Sequence, residues 1–469
     1  MVFSSIFFLY YFLVVTLIVY FLVPKKFKNI VLLLASIFFY FYGEPRYTIL
    51  LIFSCVFNFF LALGIEKVEK AKWKKILLIS AIVVNVGILG YFKYTNFFIE
   101  NINSIFKTDI KILKLALPLG ISFFTFQTLS YVFDVYMGKI QATKNFINFS
   151  TFICMFPKLT AGPIVRYSHV SEDLKERTVD SDLFGKGARR LVLGLGKKVL
   201  ISNVIGEMCS LLAAATPSVF GYILRGVGYT LQLYFDFSGY SDMAIGLGMM
   251  FGFKFLENFN YPLIASSVTD FWRRWHISLS SWFRDYIYIP LGGNRVKTWK
   301  FIRNIFVVWF VTGFWHGASW NFIAWGLFFG IFLTIEKFFL KGFLDKHKVI
   351  GHIYTLFLVL ISFILFSTNT IGEAGIFIKS MFGFNKLPFI NAETLYLFRS
   401  YAVVLVMGIV GATPLLKNLF TKISEKYQEN KKVKIVLGVL EICYVVLLLV
   451  LVTAFTIDSS FNPFLYFRF

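Results

Sequence analysis

The stretch FSSIFFLYYFLVVTLIVYFLVP, residues 3–24, decides the fold class, because it carries no charged side chain along its whole length. A helix needs about 20 predominantly apolar residues to cross the hydrocarbon core of a bilayer, and this stretch supplies them. No basic region precedes it and no small-residue cleavage site ends it, so it reads as a retained span from about Phe3 to Val23, not a cleaved signal. Pro24, Lys25, Lys26 and Lys28 close it.

The pattern then repeats. Apolar runs follow at about 29–42, 47–65 and 76–92, and later at 191–204, 219–235, 305–339, 353–365, 403–411 and 435–455. Of the 469 residues, 58% are hydrophobic and only 15% charged. Soluble domains carry roughly 25% charged residues, so a soluble enzyme is excluded. The expectation is an all-α polytopic membrane bundle, a single domain over 1–469, with roughly ten to thirteen helices at about 20 residues per span. The net charge of +22 does not imply nucleic-acid binding. The cations sit in short segments between apolar runs, as the positive-inside rule requires of cytoplasmic loops. Residues 25–28 and EKVEKAKWKK (66–75) are separated by two spans and so share a side, which places the N-terminus outside the cytoplasm. Cys55, Cys154, Cys209 and Cys443 form no CxxC and imply neither a zinc site nor a redox pair.

Pro and Gly interrupt the middle of the chain, in LPLGISFFTFQTLSYVFDVYMG (117–138) and FSTFICMFPKLTAGPIVRY (149–167). Broken helices at membrane depth are tolerated only where protein or a cavity covers the backbone, so this region is expected to be enclosed.

Three segments hold polar chemistry in apolar surroundings. In FWRRWHISLSSWFRDYIYIPLGGNR (271–295), a helix would put Trp272, Trp275, His276, Leu279, Trp282 and Phe283 on one face and Arg273, Arg274 and Arg284 on the other. Pattern alone favours an interfacial anchor there; His276 on the aromatic face is the anomaly. In VTGFWHGASWNFIAWG (311–326), His316 lies beside Trp315 in an apolar run. Ionisable residues in spans are rare and are functional candidates by default, and Gly313 and Gly317 would admit a substrate or another backbone. In YFDFSGYSDMAIG (234–246), Asp236 and Asp242 are expected to cap helices or to pair with arginines of the amphipathic segment. A metal held by His276, His316 and one Asp is conceivable by ligand type, but the spacing matches no metal motif, so none is expected.

These segments, with TAGPIVRY (160–167) and YIPLGGNR (288–295), resemble the membrane-bound O-acyltransferase family, in the branch that acetylates alginate and peptidoglycan. The resemblance covers nearly the whole chain. It implies a helical bundle around a central tunnel, with the family's buried histidine at His316 and its second polar position at His276. It implies catalytic roles for both; Trp275, Arg273, Trp315, Asp236 and Asp242 are expected beside them as substrate contacts. It further implies acetyl-coenzyme A as donor with no bound cofactor, an extracytoplasmic polysaccharide acetyltransferase as partner, and residence in a bacterial cytoplasmic membrane. D-alanyl transfer to teichoic acid by the same fold, or transport of a lipid-linked glycan, are the alternatives; a transporter often shows two related halves, and none is visible.

The positive-inside rule puts LKNLFTKISEKYQENKKVK (416–434) in the cytoplasm and, one span later, residues 456–469 outside. The ending FNPFLYFRF (461–469) resembles the family's C-terminal tyrosine motif, which implies that Tyr466 carries the acyl group, with His316 as its base.

Overall fold

The computed structural model describes residues 1–427 and 430–458. Those residues are mostly helical, with no strand among them. Among the described residues, seven helices are long and apolar enough to cross a membrane: 25–43, 48–67, 71–106, 320–346, 348–367, 392–411 and 432–458. The described residues also contain many shorter helices, so the chain is more fragmented than the ten to thirteen expected. The first apolar stretch is helical only over Phe7–Leu22, shorter than a full span. The fourth is longer than expected: Ala71–Phe106 is one 36-residue helix, about 54 Å at 1.5 Å per residue, well beyond a hydrocarbon core of about 30 Å.

The described residues form two compact units, residues 1–188, 244–256 and 284–286, and residues 189–243, 257–283 and 287–469. In the first, helix Lys28–Gly43 packs on Phe146–Cys154, and Ile121–Tyr136 packs on both Thr48–Lys67 and Ala71–Phe106. Phe8, Phe12, Phe39 and Phe156 build its aromatic core. Asn58 and Asn85 exchange amide hydrogen bonds of 3.2 and 2.8 Å between two spans, a polar contact that lipid cannot compete for. The interrupted helices expected to be enclosed are enclosed. Nearly every residue of Ile121–Tyr136 is buried, and so is the break at Met155. There the ammonium of Lys158, fully buried, bonds Gln127 Oε1 and lies 4.5 Å from the Phe152 ring centroid. Arg166 of TAGPIVRY pairs with Asp285 at 2.7 Å, and Tyr286 donates to Asp134 at 2.9 Å.

The second unit is organised by the hairpin of Thr298–His316 and Trp320–Ile335. The run 305–339 is therefore not one span. It breaks at 317–319, where Gly317 and Ser319 are extended and Trp320 restarts the helix. The two helices touch through glycine. A Cβ on Gly313 would fall on the Phe322 carbonyl, and one on Gly326 on the Trp309 carbonyl. Small residues let helix backbones approach where lipid offers no hydrophobic drive, so Gly313 and Gly317 serve a neighbouring helix, Gly317 against the Phe322 ring. By contrast Lys431–Asp458 leaves 6% of its apolar window buried, with Ile435, Leu440 and Leu447 exposed. An apolar face of that size is stable only against lipid.

Candidate active site around Trp315

The amphipathic segment is two short helices. Ser267 caps the first, Val268–Arg274, by accepting from the Asp270 backbone N–H at 3.0 Å, the first half of a capping box. Glu336 accepts from the N–H groups of Val268 and Thr269 at 2.5 and 3.0 Å, and a carboxylate suits a helix N-terminus. The helix stops at Trp275, and Ile277–Phe283 begins after His276, whose φ is +45°. Histidine tolerates this left-handed region better than most non-glycine residues, at a cost of about 1–3 kcal/mol that its surroundings must offset. They do so from residues 258–260. Asn260 N–H bonds the Arg274 carbonyl at 2.9 Å, and Ile277 N–H bonds the Asn258 carbonyl at 3.0 Å. The expected continuous helix thus fails at His276, but its buried face was right: Trp272, Trp275, Leu279, Trp282 and Phe283 are buried with His276.

The His276 imidazole is 1% exposed. Its Nδ1 lies 3.3 Å from Asn258 Oδ1, and Nε2 has no hydrogen-bond partner among the described residues. Phe237 meets the ring edge to face at 4.6 Å between centroids. His276 lies outside the seven spans, and burial lowers its pKa to about 3, because the charged form loses its hydration. It is neutral at physiological pH.

His316 sits at the last turn of Thr298–His316, not in mid-span, and is 5% exposed. Its ring is caged by Trp325 at 4.9 Å, Trp315 at 5.0 Å and Phe366 at 5.5 Å. Trp315 also lies 6.4 Å from His276. Two histidines forty positions apart in sequence, 276 and 316, therefore share one buried indole. Trp272 extends the same aromatic wall, 5.7 Å from Trp325 and 4.6 Å from Trp309. The indole N–H groups of Trp272 and Trp325 have no partner among the described residues. Buried polar groups are normally satisfied, so these two N–H groups stand out in an otherwise apolar wall.

The remaining candidates fall elsewhere. Trp275 is buried between Phe259 (5.1 Å) and Phe363 (5.2 Å) as part of the wall. Arg273 is exposed and points out of it. Asp236 and Asp242 do not pair with the arginines of the amphipathic segment. Asp236 meets Lys198 at 2.5 Å, and Asp242 meets Lys197 at 2.6 Å and Arg190 at 2.8 Å. Pairing comes from residues 190–198 because a buried carboxylate needs a cation on a neighbouring helix that is equally buried, and Lys198 is. Arg274 instead pairs with Asp270 one turn away, at 2.9 Å. Tyr466 lies outside the described residues, as do 459–469. Sequence reading missed Asn258, Trp325 and Phe366. The available signal for Asn258 was ENFNYP (257–262), two asparagines beside a proline just upstream of the histidine segment.

Residues 139–368 match the model of the membrane-bound O-acyltransferase family. The chain is 36% identical to a probable alginate O-acetylase, AlgI, of Azotobacter vinelandii, over 92% of both chains. It is 34% identical to a peptidoglycan O-acetyltransferase of Helicobacter pylori, over 90% of this chain and 88% of that one. It is 33% identical to a teichoic acid D-alanyltransferase of Bacillus subtilis, over 48% of this chain and 60% of that one. With multiple apolar spans, two buried histidines around one indole and relatives matched along almost the full length, this chain belongs to the membrane-bound O-acyltransferase family and is a multi-pass membrane acyltransferase.

Proposed function

We propose that this acyltransferase takes an acetyl group from cytosolic acetyl-coenzyme A and passes it across a bacterial cytoplasmic membrane for O-acetylation of an exported or cell-surface polysaccharide, with an extracytoplasmic acetyltransferase as partner. The observation that carries the reading is the shared indole of Trp315, which joins His276 and His316 in one buried, aromatic-walled site. Acyl transfer needs such a group. A hydroxyl oxygen attacks the thioester carbonyl, its proton passes to an imidazole, and the thiolate leaves with the C–S electron pair and takes that proton. An imidazole has an ordinary pKa near 6.5, suited to accepting a proton at neutral pH. His316 is assigned as that base. Acetyl rather than D-alanyl is favoured because the alginate and peptidoglycan acetylating relatives match along nine-tenths of the chain, the D-alanyl one along 48%.

Tyr466 as an acyl-carrying hydroxyl rests on the resemblance of residues 461–469 alone. A phenol has a pKa near 10, so its acetyl ester has a better leaving group than a sugar ester and can pass the acetyl onward. Tyr466→Phe, which removes only the hydroxyl, is expected to stop polymer acetylation and to leave membrane insertion intact.

The test is incubation of the full chain in lipid nanodiscs with radiolabelled acetyl-coenzyme A, with and without the membrane fraction's acetyl acceptor. Release of free coenzyme A and transfer of label to protein or acceptor are expected. Label that stays in the thioester, while a D-alanyl carrier thioester is consumed, would replace acetyl by D-alanyl transfer.

A further inference from the structure

His276 and its neighbours contain enough fixed donors to determine which imidazole nitrogen carries hydrogen. The backbone N–H of Ser278 can only donate, and it points at the Asn258 side-chain amide at 3.1 Å. The Ser278 hydroxyl reaches the same atom at 2.9 Å. On its other side the amide lies 3.1 Å from Ser241 Oγ, which can accept. The amide is therefore oriented with Oδ1 towards Ser278 and Nδ2 towards Ser241, since the flipped amide would set N–H against N–H. Asn258 is fully buried, and its backbone carbonyl accepts from Ile277, which fixes the main chain from which the amide projects. The atom facing His276 Nδ1 at 3.3 Å is therefore an oxygen, which offers only lone pairs. Two lone pairs at that separation repel, so Nδ1 brings the hydrogen. A buried neutral imidazole has one N–H, and Nε2 is left bare.

We propose that Asn258 is a positioning residue that locks His276 in the Nδ1-protonated tautomer, so that His276 meets its substrate through a bare Nε2, as an acceptor for a substrate O–H or N–H and not as a donor to an oxyanion. This rests on the reading of the Trp315 region as the acyl-transfer site. It narrows what His276 does there: an orienting acceptor beside the base His316, with oxyanion stabilisation left to other donors. The left-handed backbone at His276 serves the same end, since it turns the imidazole back onto residue 258 instead of letting the helix continue.

The test uses the full chain in lipid. Nitrogen-15 NMR of histidine-labelled protein, with the His276 signals identified by their loss in His276→Gln, is expected to show a protonated Nδ1 and an unprotonated Nε2. Asn258→Leu removes the acceptor, lets the other tautomer form and should lower acetyl transfer about tenfold or more, the direction seen when an orienting partner of a catalytic histidine is lost. Asn258→Asp keeps an oxygen towards Nδ1 and should recover most of the wild-type rate. A protonated Nε2 in the wild-type protein overturns the inference, and so does wild-type transfer by Asn258→Leu. Should Asn258→Leu fail to accumulate, the wild-type spectrum and the Asn258→Asp rate decide. The two readings fail separately. Full activity in His276→Ala would overturn the site itself, whereas an inactive His276→Ala with a protonated Nε2 would sink only the tautomer assignment.

Discussion

His276 and His316 stand in different surroundings. His276 stands at a break between two short helices, in a left-handed backbone, with a hydrogen bond to Asn258 that in turn bonds Ser278 and Ser241. His316 ends a 19-residue helix and is walled by Trp315, Trp325 and Phe366, at a corner closed by glycine contacts. One is positioned by directional bonds, which fix both ring orientation and tautomer. The other is surrounded by aromatic rings, which fix its location. The difference teaches that damage should take different forms in the two regions: at the first, polar substitutions alter chemistry at little cost in packing; at the second, volume changes alter the fold.

Loss of the His316 imidazole should be the most damaging change. His316→Ala should lower acetyl transfer by about 10²–10⁴-fold, the usual contribution of a general base, while the protein accumulates normally in membranes. Initial rates with labelled acetyl-coenzyme A, at matched protein levels, measure it; a loss under threefold would remove His316 from the chemistry.

Next comes the corner. Gly313→Leu drives a side chain into the Phe322 carbonyl, which cannot move aside. Overpacking of this kind costs about 1–3 kcal/mol or more, so the melting temperature in detergent and the activity should fall together. Gly90→Leu, where a Cβ meets nothing within 4 Å, is the control and should leave the melting temperature unchanged.

A smaller effect is expected at the His276 break. Ser267→Ala removes the side-chain cap of Val268–Arg274, worth about 0.5–2 kcal/mol. Its mark should be a modest fall in melting temperature with KM for acetyl-coenzyme A little changed.

The smallest effect is an absence. Burial holds the His276 pKa near 3, so the imidazole does not titrate between pH 5 and 8 and should add no inflection to the rate profile there. The sign on stability is separate. The folded pKa lies below the unfolded value of about 6.5, so the unfolded chain binds more protons between the two. The contribution of His276 to stability is full above about pH 6.5 and is lost as pH falls towards 3. Melting temperatures of wild type and His276→Gln across pH 4–8 measure this term, whose loss on acidification should be smaller in the variant.

The same contrast explains how much was legible in the sequence. Apolar run length located most of the spans, because length and hydropathy are local properties. His316 stood out because a histidine in an apolar run is rare. The buried face of 271–283 was legible from periodicity, but the break at His276 was not, because it is paid for by backbone bonds from Asn258 and Asn260, far enough along the chain to be invisible to a helical wheel. The partners of Asp236 and Asp242 were misjudged for the same reason. Sequence proximity to arginines suggested one pairing, and burial on adjacent helices produced another, with Lys198 and with Arg190 and Lys197. The shared indole of Trp315 is a purely tertiary fact.

If the two histidines around Trp315 work as one site, a double-mutant cycle exposes it. Single-turnover transfer from labelled acetyl-coenzyme A would be measured for wild type, His276→Ala, His316→Ala and the double variant, all in the same lipid. Residues that act as a unit are strongly non-additive, so the double variant should be no slower than His316→Ala by more than about threefold. Losses that multiply, with the double variant slower by the full product of the two single effects, would contradict a shared site.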